Sequence, residues 1–378
     1  MSISVSADGQ VLSLTSAQQV YRFHAIWLRD NAWDPATRDP GNGQRLVALR
    51  DIPLDTHIGH AQESSSSIVR LQFMPEDKWV DYSVSWLLQH AYDQPEPQPT
   101  GWLRDGIELW GSQLMTALPE ADFSVLQGDE GARDTWLAQV ARYGFGKLNN
   151  GPIRDGALYD VIDLFGYVRE TNYGRHFEVR VEDEPTNLAF TSASVQAHTD
   201  NPYRDPVPTM QLLYCLESSA PGGENMVVDG FAAALRLRDE DAHAFDLLSR
   251  YCARFEFAGE KGVCLQSRRP MIELAPDGEL KGVRFNNRSA AAITDVPFEH
   301  MADYYRAYRR FGEILDDTAM EVFFRLEPGD CFIIDNTRVM HARKAFAGAG
   351  SRWLQGCYAD KDALWSKVEA AKRIGKAI

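Results

Sequence analysis

The chain lacks any apolar run approaching the ~18 residues that a membrane-spanning helix needs. Its opening Met1-Ser2-Ile3-Ser4-Val5-Ser6 lacks both the basic and the apolar stretch of a secretory signal. The expected compartment is therefore the cytoplasm. Positive charge is also short: 39 Lys and Arg against 54 Asp and Glu leave a formal charge of −15. That is the wrong sign for a surface that grips nucleic-acid phosphates, so nucleic acid is excluded as a partner. Cysteine is sparse, with five residues (Cys215, Cys252, Cys264, Cys331, Cys357) and no C-x-x-C pair, so reduced, mostly buried thiols are expected. There is no internal repeat, and Ser64-Ser65-Ser66-Ser67 is the one low-complexity tract, read as an exposed loop.

What is present suits a soluble enzyme. At 378 residues and 44% hydrophobic, the chain can bury a large core and divide into two domains. The alternating prolines of Gln94-Pro95-Glu96-Pro97-Gln98-Pro99-Thr100-Gly101 continue neither a helix nor a central strand. They divide a small β-rich domain over 1–93 from a linker over 94–119 and a catalytic body over 120–378. Helices are expected near Thr135 to Tyr143, Phe231 to Cys252 and Phe298 to Asp316. Short strands are expected at Val11 to Leu14 and Val69 to Phe73.

The chemistry is carried by His198-Thr199-Asp200, by His341 far downstream, and by Arg352. Two imidazoles and a carboxylate can hold a divalent iron on one face and leave the opposite positions open. A His-x-Asp triplet alone is common in surface loops, so the surroundings matter. Asn201-Pro202 turns the chain, and Met210, Leu212, Tyr214 and Leu216 then alternate as in a half-buried strand. Pro328-Gly329-Asp330 and Asp335-Asn336 read as turns around a buried Cys331-Phe332-Ile333-Ile334 strand. His341 follows on one strand and Arg352 opens another, Arg352 to Tyr358. Arg352 offers the planar fork that grips a carboxylate. A zinc hydrolase or a non-catalytic metal-binding module could use the same His and Asp set, but neither gives Arg352 a task.

These motifs resemble the iron(II)- and 2-oxoglutarate-dependent oxygenases, within the taurine dioxygenase-like group that includes γ-butyrobetaine hydroxylase. The likeness also covers Gly222-Gly223-Glu224-Asn225 with Val228-Asp229-Gly230-Phe231, His341-Ala342-Arg343, Gln355-Gly356-Cys357-Tyr358-Ala359-Asp360, Tyr304-Tyr305-Arg306-Ala307-Tyr308 and Trp27-Leu28-Arg29-Asp30-Asn31. It thus spans nearly the whole chain. It implies an α+β, mainly β fold: a double-stranded β-helix (jelly roll) with a small N-terminal β-rich domain, assembled as a homodimer. It implies His198, Asp200 and His341 as Fe(II) ligands and Arg352 as the anchor for 2-oxoglutarate. Oxygen is the second co-substrate, succinate and CO₂ are products, and ascorbate is a stimulating reductant. Asp200 separates a hydroxylase from related halogenases, which resemble this pattern with a small residue there. Asn225 is either a 2-oxoglutarate contact or a turn residue, and Arg343 either lies near the co-substrate or pairs with an acidic neighbour. Where resembled enzymes carry zinc-binding cysteines after Trp-Leu-Arg-Asp-Asn, this chain reads Ala32-Trp33-Asp34-Pro35. His57 and His60 alone cannot fill a tetrahedral site, so no zinc is expected. His24, His90, His176, His243 and His300 are expected to be structural or exposed.

The resemblance also frames the substrate. In γ-butyrobetaine hydroxylase an aromatic cage holds a trimethylammonium group, a common use of cation–π attraction. Tyr173, Phe177 and Phe190 fall on the cage positions, with Tyr358 as a fourth candidate; each is either cage or ordinary core. At the acid end, Asn201 replaces an aromatic residue, and Arg284-Phe285-Asn286-Asn287-Arg288 adds Asn286, Asn287 and a second basic residue, Arg288. Asn187 is a further candidate. Either these amides and Arg288 form a solvated turn, or they receive a group with more oxygens and charge than a carboxylate. The latter pattern resembles the 2-(trimethylammonio)ethylphosphonate dioxygenases and implies a quaternary ammonium phosphonate ahead of a carboxylate substrate.

Overall fold

The computed structural model describes residues 1–93, 98–180, 194–219, 221–345 and 351–373. The chain forms two compact units, Met1–Pro97 and Gln98–Ile378. In the first, two antiparallel three-stranded meanders, Ser2–Val5/Val11–Ser16/Gln19–His24 and His57–Ser65/Ile68–Met74/Lys78–Ser83, each run into a short helix, Ala25–Asp30 and Val84–Gln89. Their alternating apolar residues, Leu12, Leu14 and Phe23 with Val69, Leu71 and Phe73, meet in one core. The loop after the first helix is pinned by charge. Buried Arg29 donates to both oxygens of Glu76 (2.6 and 2.7 Å) and to Thr37 Oγ1 (3.1 Å), and Asp34 accepts from Thr37 and Lys78.

The second unit is a sandwich of two sheets. The six-stranded sheet has the order Glu120–Asp122, Phe145–Asn149, Cys331–Asp335, Met210–Ser218, Arg352–Ala359, Phe177–Val179. The four-stranded sheet has the order Val195–His198, Val339–Arg343, Asn225–Asp229, Val322–Phe324. All these pairings are antiparallel except the first of the larger sheet. Successive side chains of a strand point to opposite faces, and the sequence uses both. Met210, Leu212, Tyr214 and Leu216 face helices Glu130–Tyr143, Leu158–Ile162 and Lys361–Arg373, whereas Leu213 and Cys215 face the other sheet. The strand is therefore buried on both faces over most of its length, not half-buried. Met226, Val228, Met340 and Ala342 likewise leave the sandwich to meet helices Gly230–Glu240, Ala242–Arg250 and Phe298–Leu315.

Two expectations are corrected. The segment 98–119 is no linker but part of the second unit: Trp110 and Leu114 enter the inter-sheet core. The single helix expected from Phe231 to Cys252 is two, because Asp241 leaves helical geometry and accepts from the amides of His243 and Ala244 to cap the second. All five cysteines are free; Cys215, Cys331 and Cys357 are buried, whereas Cys264 is exposed.

One buried ion pair braces the second unit. Arg338 and Asp229 are 1% and 0% exposed, joined through Nε–Oδ1 (3.0 Å) and Nη2–Oδ2 (2.8 Å). Arg338 also donates to the carbonyls of Arg142 and Glu108, and Asp229 accepts from the amides of Trp110 and Phe231. Removing one partner leaves an uncompensated buried charge. Asp229→Ala is expected to destabilise the protein by ~3–5 kcal/mol in denaturant unfolding; a loss under 1 kcal/mol would contradict this packing.

Candidate active site

The site is the polar mouth of the inter-sheet core. On the Val339–Arg343 strand, Val339 belongs to that core, and by the period of two His341 and Arg343 share its face. Asn225 stands on the same face of its strand as core residue Val227, and Arg352 and Tyr358 on that of Leu354. These side chains, with His198, Asp200 and Gln211, line a cavity of about 610 Å³.

His198 and His341 are cross-strand partners with ring centroids 4.3 Å apart. His198 Nδ1–H donates to the Gln196 carbonyl (2.7 Å), which leaves the Nε2 lone pair for a metal. Asp200 Oδ1 lies 3.2 Å from His198 Nε2 and 3.9 Å from His341 Nε2. The three ligand atoms lie within 4.8 Å of one another, close enough to share one ion. Burial pushes the His341 imidazole down to about 3, aided by His198 and Arg288 and opposed by Asp200, so it is neutral and able to coordinate. Burial would raise the Asp200 carboxyl, but its contacts with His198 and His341, and with the Tyr358 hydroxyl, outweigh it and hold the group well below the usual range. Two imidazoles with a carboxylate held in its ionised form are the donor set that suits non-haem Fe(II).

Asp200 is held from all sides. Its amide donates to Asn336 Oδ1 (2.7 Å), and Asn336 Nδ2 donates back to the Asp200 carbonyl (2.9 Å). Its Oδ2 accepts from Gln211 Nε2 (2.7 Å) and from the Tyr358 hydroxyl (2.8 Å). Gln211 escaped the sequence reading. Its signal is a lone amide at an inward position of an otherwise apolar strand.

Arg352, Arg343 and Asn225 come together on the cavity wall, with Arg352 Nη2 donating to Asn225 Oδ1 (3.3 Å). Burial lowers the Arg352 guanidinium to about 10, with help from neighbouring Arg343, so it stays charged at neutral pH. Two neighbouring guanidinium groups suit an anion, and a dicarboxylate fits them.

Aromatic residues form another part of the wall. Tyr173, Phe177 and Tyr358 line the cavity together with Tyr203 and Phe257, which the sequence reading missed. Tyr173 and Phe257 ring centroids are 6.0 Å apart, Tyr203 and Phe257 5.2 Å, and Phe177 and Tyr358 5.2 Å. Gly356 makes this possible, since a Cβ there would sit 2.4 Å from the Phe177 ring. The expected cage residue Phe190 and the expected acid-end residue Asn187 lie outside the described residues.

Asn201 and Arg288 both line the cavity. Asn201 adopts φ 52°, a left-handed conformation that Asn tolerates. Its Oδ1 accepts from Tyr203 (2.5 Å), while its buried Nδ2 has no partner among the described residues. The other two amides are engaged by the protein itself. Asn286 lines the cavity, but its Nδ2 donates to the Thr199 carbonyl and its Oδ1 caps the turn at Arg288 and Ser289. Asn287 is exposed, absent from the cavity wall, and tied to Gln196 and Tyr308. A second grouping, Asp155, His176 and Glu178, is bridged by Gln355 Nε2, which donates to Asp155 Oδ1 (2.6 Å) and Glu178 Oε1 (2.8 Å).

A jelly-roll sandwich with two histidines and one aspartate at its mouth, and an arginine pair behind them, defines a non-haem iron oxygenase that uses 2-oxoglutarate. Residues 108–358 match the model of the "Taurine catabolism dioxygenase TauD, TfdA family". The chain belongs to this family of Fe(II)- and 2-oxoglutarate-dependent dioxygenases. It is 32% identical over 377 residues to a gamma-butyrobetaine dioxygenase of Pseudomonas sp. (strain AK-1), covering 98% of this chain and 96% of that one. It is 28% identical over 382 residues to a trimethyllysine dioxygenase of Meyerozyma guilliermondii, covering 97% and 94%. It is also 28% identical over 375 residues to the gamma-butyrobetaine dioxygenase of Homo sapiens, covering 96% and 94%. No helix among the described residues is long and apolar enough to cross a membrane.

Proposed function

We propose that the enzyme hydroxylates a small acid bearing a trimethylammonium group, and that this acid is 2-(trimethylammonio)ethylphosphonate, attacked at C1. In organophosphonate catabolism, 2-oxoglutarate and O₂ would be consumed and succinate and CO₂ released. His198, Asp200 and His341 would hold Fe(II), which activates O₂ when bound, while Arg352, with Asn225 and Arg343, would bind 2-oxoglutarate. Names of relatives support the ammonium half: γ-butyrobetaine and trimethyllysine both carry three methyl groups on nitrogen. The aromatic wall of Tyr173, Phe177, Tyr203, Phe257 and Tyr358 suits such a cation, because ring faces attract it without asking for hydrogen bonds it cannot make.

The observation that carries the phosphonate half is that Asn201 and Arg288 both line the cavity, with Asn201 Nδ2 buried and unpartnered among the described residues. A buried donor without an acceptor is costly, and a ligand oxygen relieves the cost. Three phosphonate oxygens can serve Asn201 and a guanidinium at once. Butyrobetaine hydroxylation is the second reading, favoured by the 32% identity to a gamma-butyrobetaine dioxygenase. Trimethyllysine ranks third, since no carboxylate is identified for its amino group. The protein is further proposed to be a cytoplasmic homodimer, which sedimentation would check.

The test compares kcat/KM for the two acids in the wild type and in Arg288→Ala. The wild type is expected to prefer the phosphonate, and the substitution to lower phosphonate kcat/KM by about 10- to 100-fold, the worth of charge-assisted hydrogen bonds. Iron binding should be unchanged. Efficient turnover of γ-butyrobetaine with none of the phosphonate would overturn the assignment.

A further inference from the structure

We infer that Gln211 and Tyr358 are positioning residues that make Asp200 meet iron through one oxygen rather than two, and so keep a coordination position open. The inference rests on iron at the His198, Asp200 and His341 triad and not on the identity of the substrate. A six-coordinate iron held here would give three positions to two imidazoles and one Asp200 oxygen, and 2-oxoglutarate and O₂ would need the other three. A carboxylate bound through both oxygens would take a position that the co-substrates require.

Asp200 Oδ1 is the oxygen that faces the imidazoles, at 3.2 Å from His198 Nε2. Oδ2 accepts two hydrogen bonds, from Gln211 Nε2 at 2.7 Å and the Tyr358 hydroxyl at 2.8 Å. Both donors are buried, at 2% and 4% exposure. They are cross-strand partners in the six-stranded sheet, which fixes their spacing. An ionised carboxylate only accepts, so the Gln211 amide must turn its nitrogen toward Asp200. This leaves Gln211 Oε1 buried with no partner among the described residues. A glutamine whose task was packing alone would be better replaced by an apolar residue of similar size. Asn336 fixes the Asp200 backbone at both its amide and its carbonyl. With Oδ2 also tied, the carboxylate cannot swing its second oxygen to the metal without breaking two hydrogen bonds.

The test uses the full chain loaded with Co(II), comparing the wild type with Gln211→Leu, Tyr358→Phe and the double variant. Three quantities are read: Co(II) affinity, the visible Co(II) absorption, whose intensity reports coordination number, and 2-oxoglutarate affinity by calorimetry. The double variant is expected to keep Co(II) affinity within a few-fold, to change its Co(II) absorption toward higher coordination, and to bind 2-oxoglutarate about 10- to 100-fold more weakly. Each single variant should fall between. Wild-type absorption and 2-oxoglutarate affinity in the double variant would overturn the inference. So would a loss of Co(II) affinity as large as the loss of 2-oxoglutarate affinity, which would mean that the pair merely holds the ligand in place. If the double variant does not fold, Tyr358→Phe decides alone: it removes one hydroxyl, and unchanged 2-oxoglutarate affinity would refute the role.

Discussion

Arg352→Leu is expected to raise the KM for 2-oxoglutarate by about a hundredfold or more, with iron binding intact. The guanidinium stands at the start of its strand, partly buried, with Asn225 accepting from Nη2 and Arg343 close enough to lower its proton affinity further. Truncating one member of a desolvated charge pair typically costs 2–5 kcal/mol, and each ~1.4 kcal/mol is tenfold in affinity. Arg352→Lys should recover only part of the loss, because an ammonium is a point charge without the planar fork. Arg343→Leu separates the two guanidiniums: it should also weaken 2-oxoglutarate, by relieving a repulsion that favours the dianion. Steady-state kinetics in 2-oxoglutarate with calorimetric Co(II) binding reads both quantities, and an unchanged KM in Arg352→Leu would remove this arginine from the co-substrate site.

Asp200→Ala is expected to reduce succinate formation on the order of a thousandfold and to leave the purified protein poor in iron. Two imidazoles cannot replace the charge that Asp200 brings, and that carboxylate is ionised in its buried position. The loss should exceed that in Asn336→Ala, since Asn336 bonds the Asp200 backbone and ligates nothing. Metal content by elemental analysis, beside succinate yield, shows whether the fall in rate follows loss of iron.

The triad and its strands were legible because each signal was local. His198 and Asp200 flank one residue ahead of a chain-turning pair, and His341 and Arg352 fall within short apolar strands whose period of two fixes their face. Residues gathered from distant strands were not legible in this way. Gln211 reaches Asp200 across the inter-sheet space, and Tyr203 and Phe257 meet only because the Cys252–Glu260 strand folds back to the cavity. Asn286 and Asn287 show a different limit. They sit beside Arg288 in sequence, yet a capping turn takes one amide and Gln196 and Tyr308 take the other. Nothing in the sequence distinguishes an amide used by the backbone from one offered to a ligand. The 98–119 segment was misread for a related reason: a proline-rich opening looks like a tether, and only the sandwich shows where Trp110 packs.

The most direct test incubates the Fe(II) protein with 2-oxoglutarate and O₂, adding 2-(trimethylammonio)ethylphosphonate, γ-butyrobetaine, trimethyllysine or no second substrate. Succinate and the mass of each added compound are then followed together. The expected result is succinate formed in step with a gain of one oxygen atom on a trimethylammonium acid, fastest on the phosphonate, with little succinate when none is added. Succinate at the same low rate in every tube, with no compound gaining oxygen, would contradict hydroxylation of a trimethylammonium acid by this site.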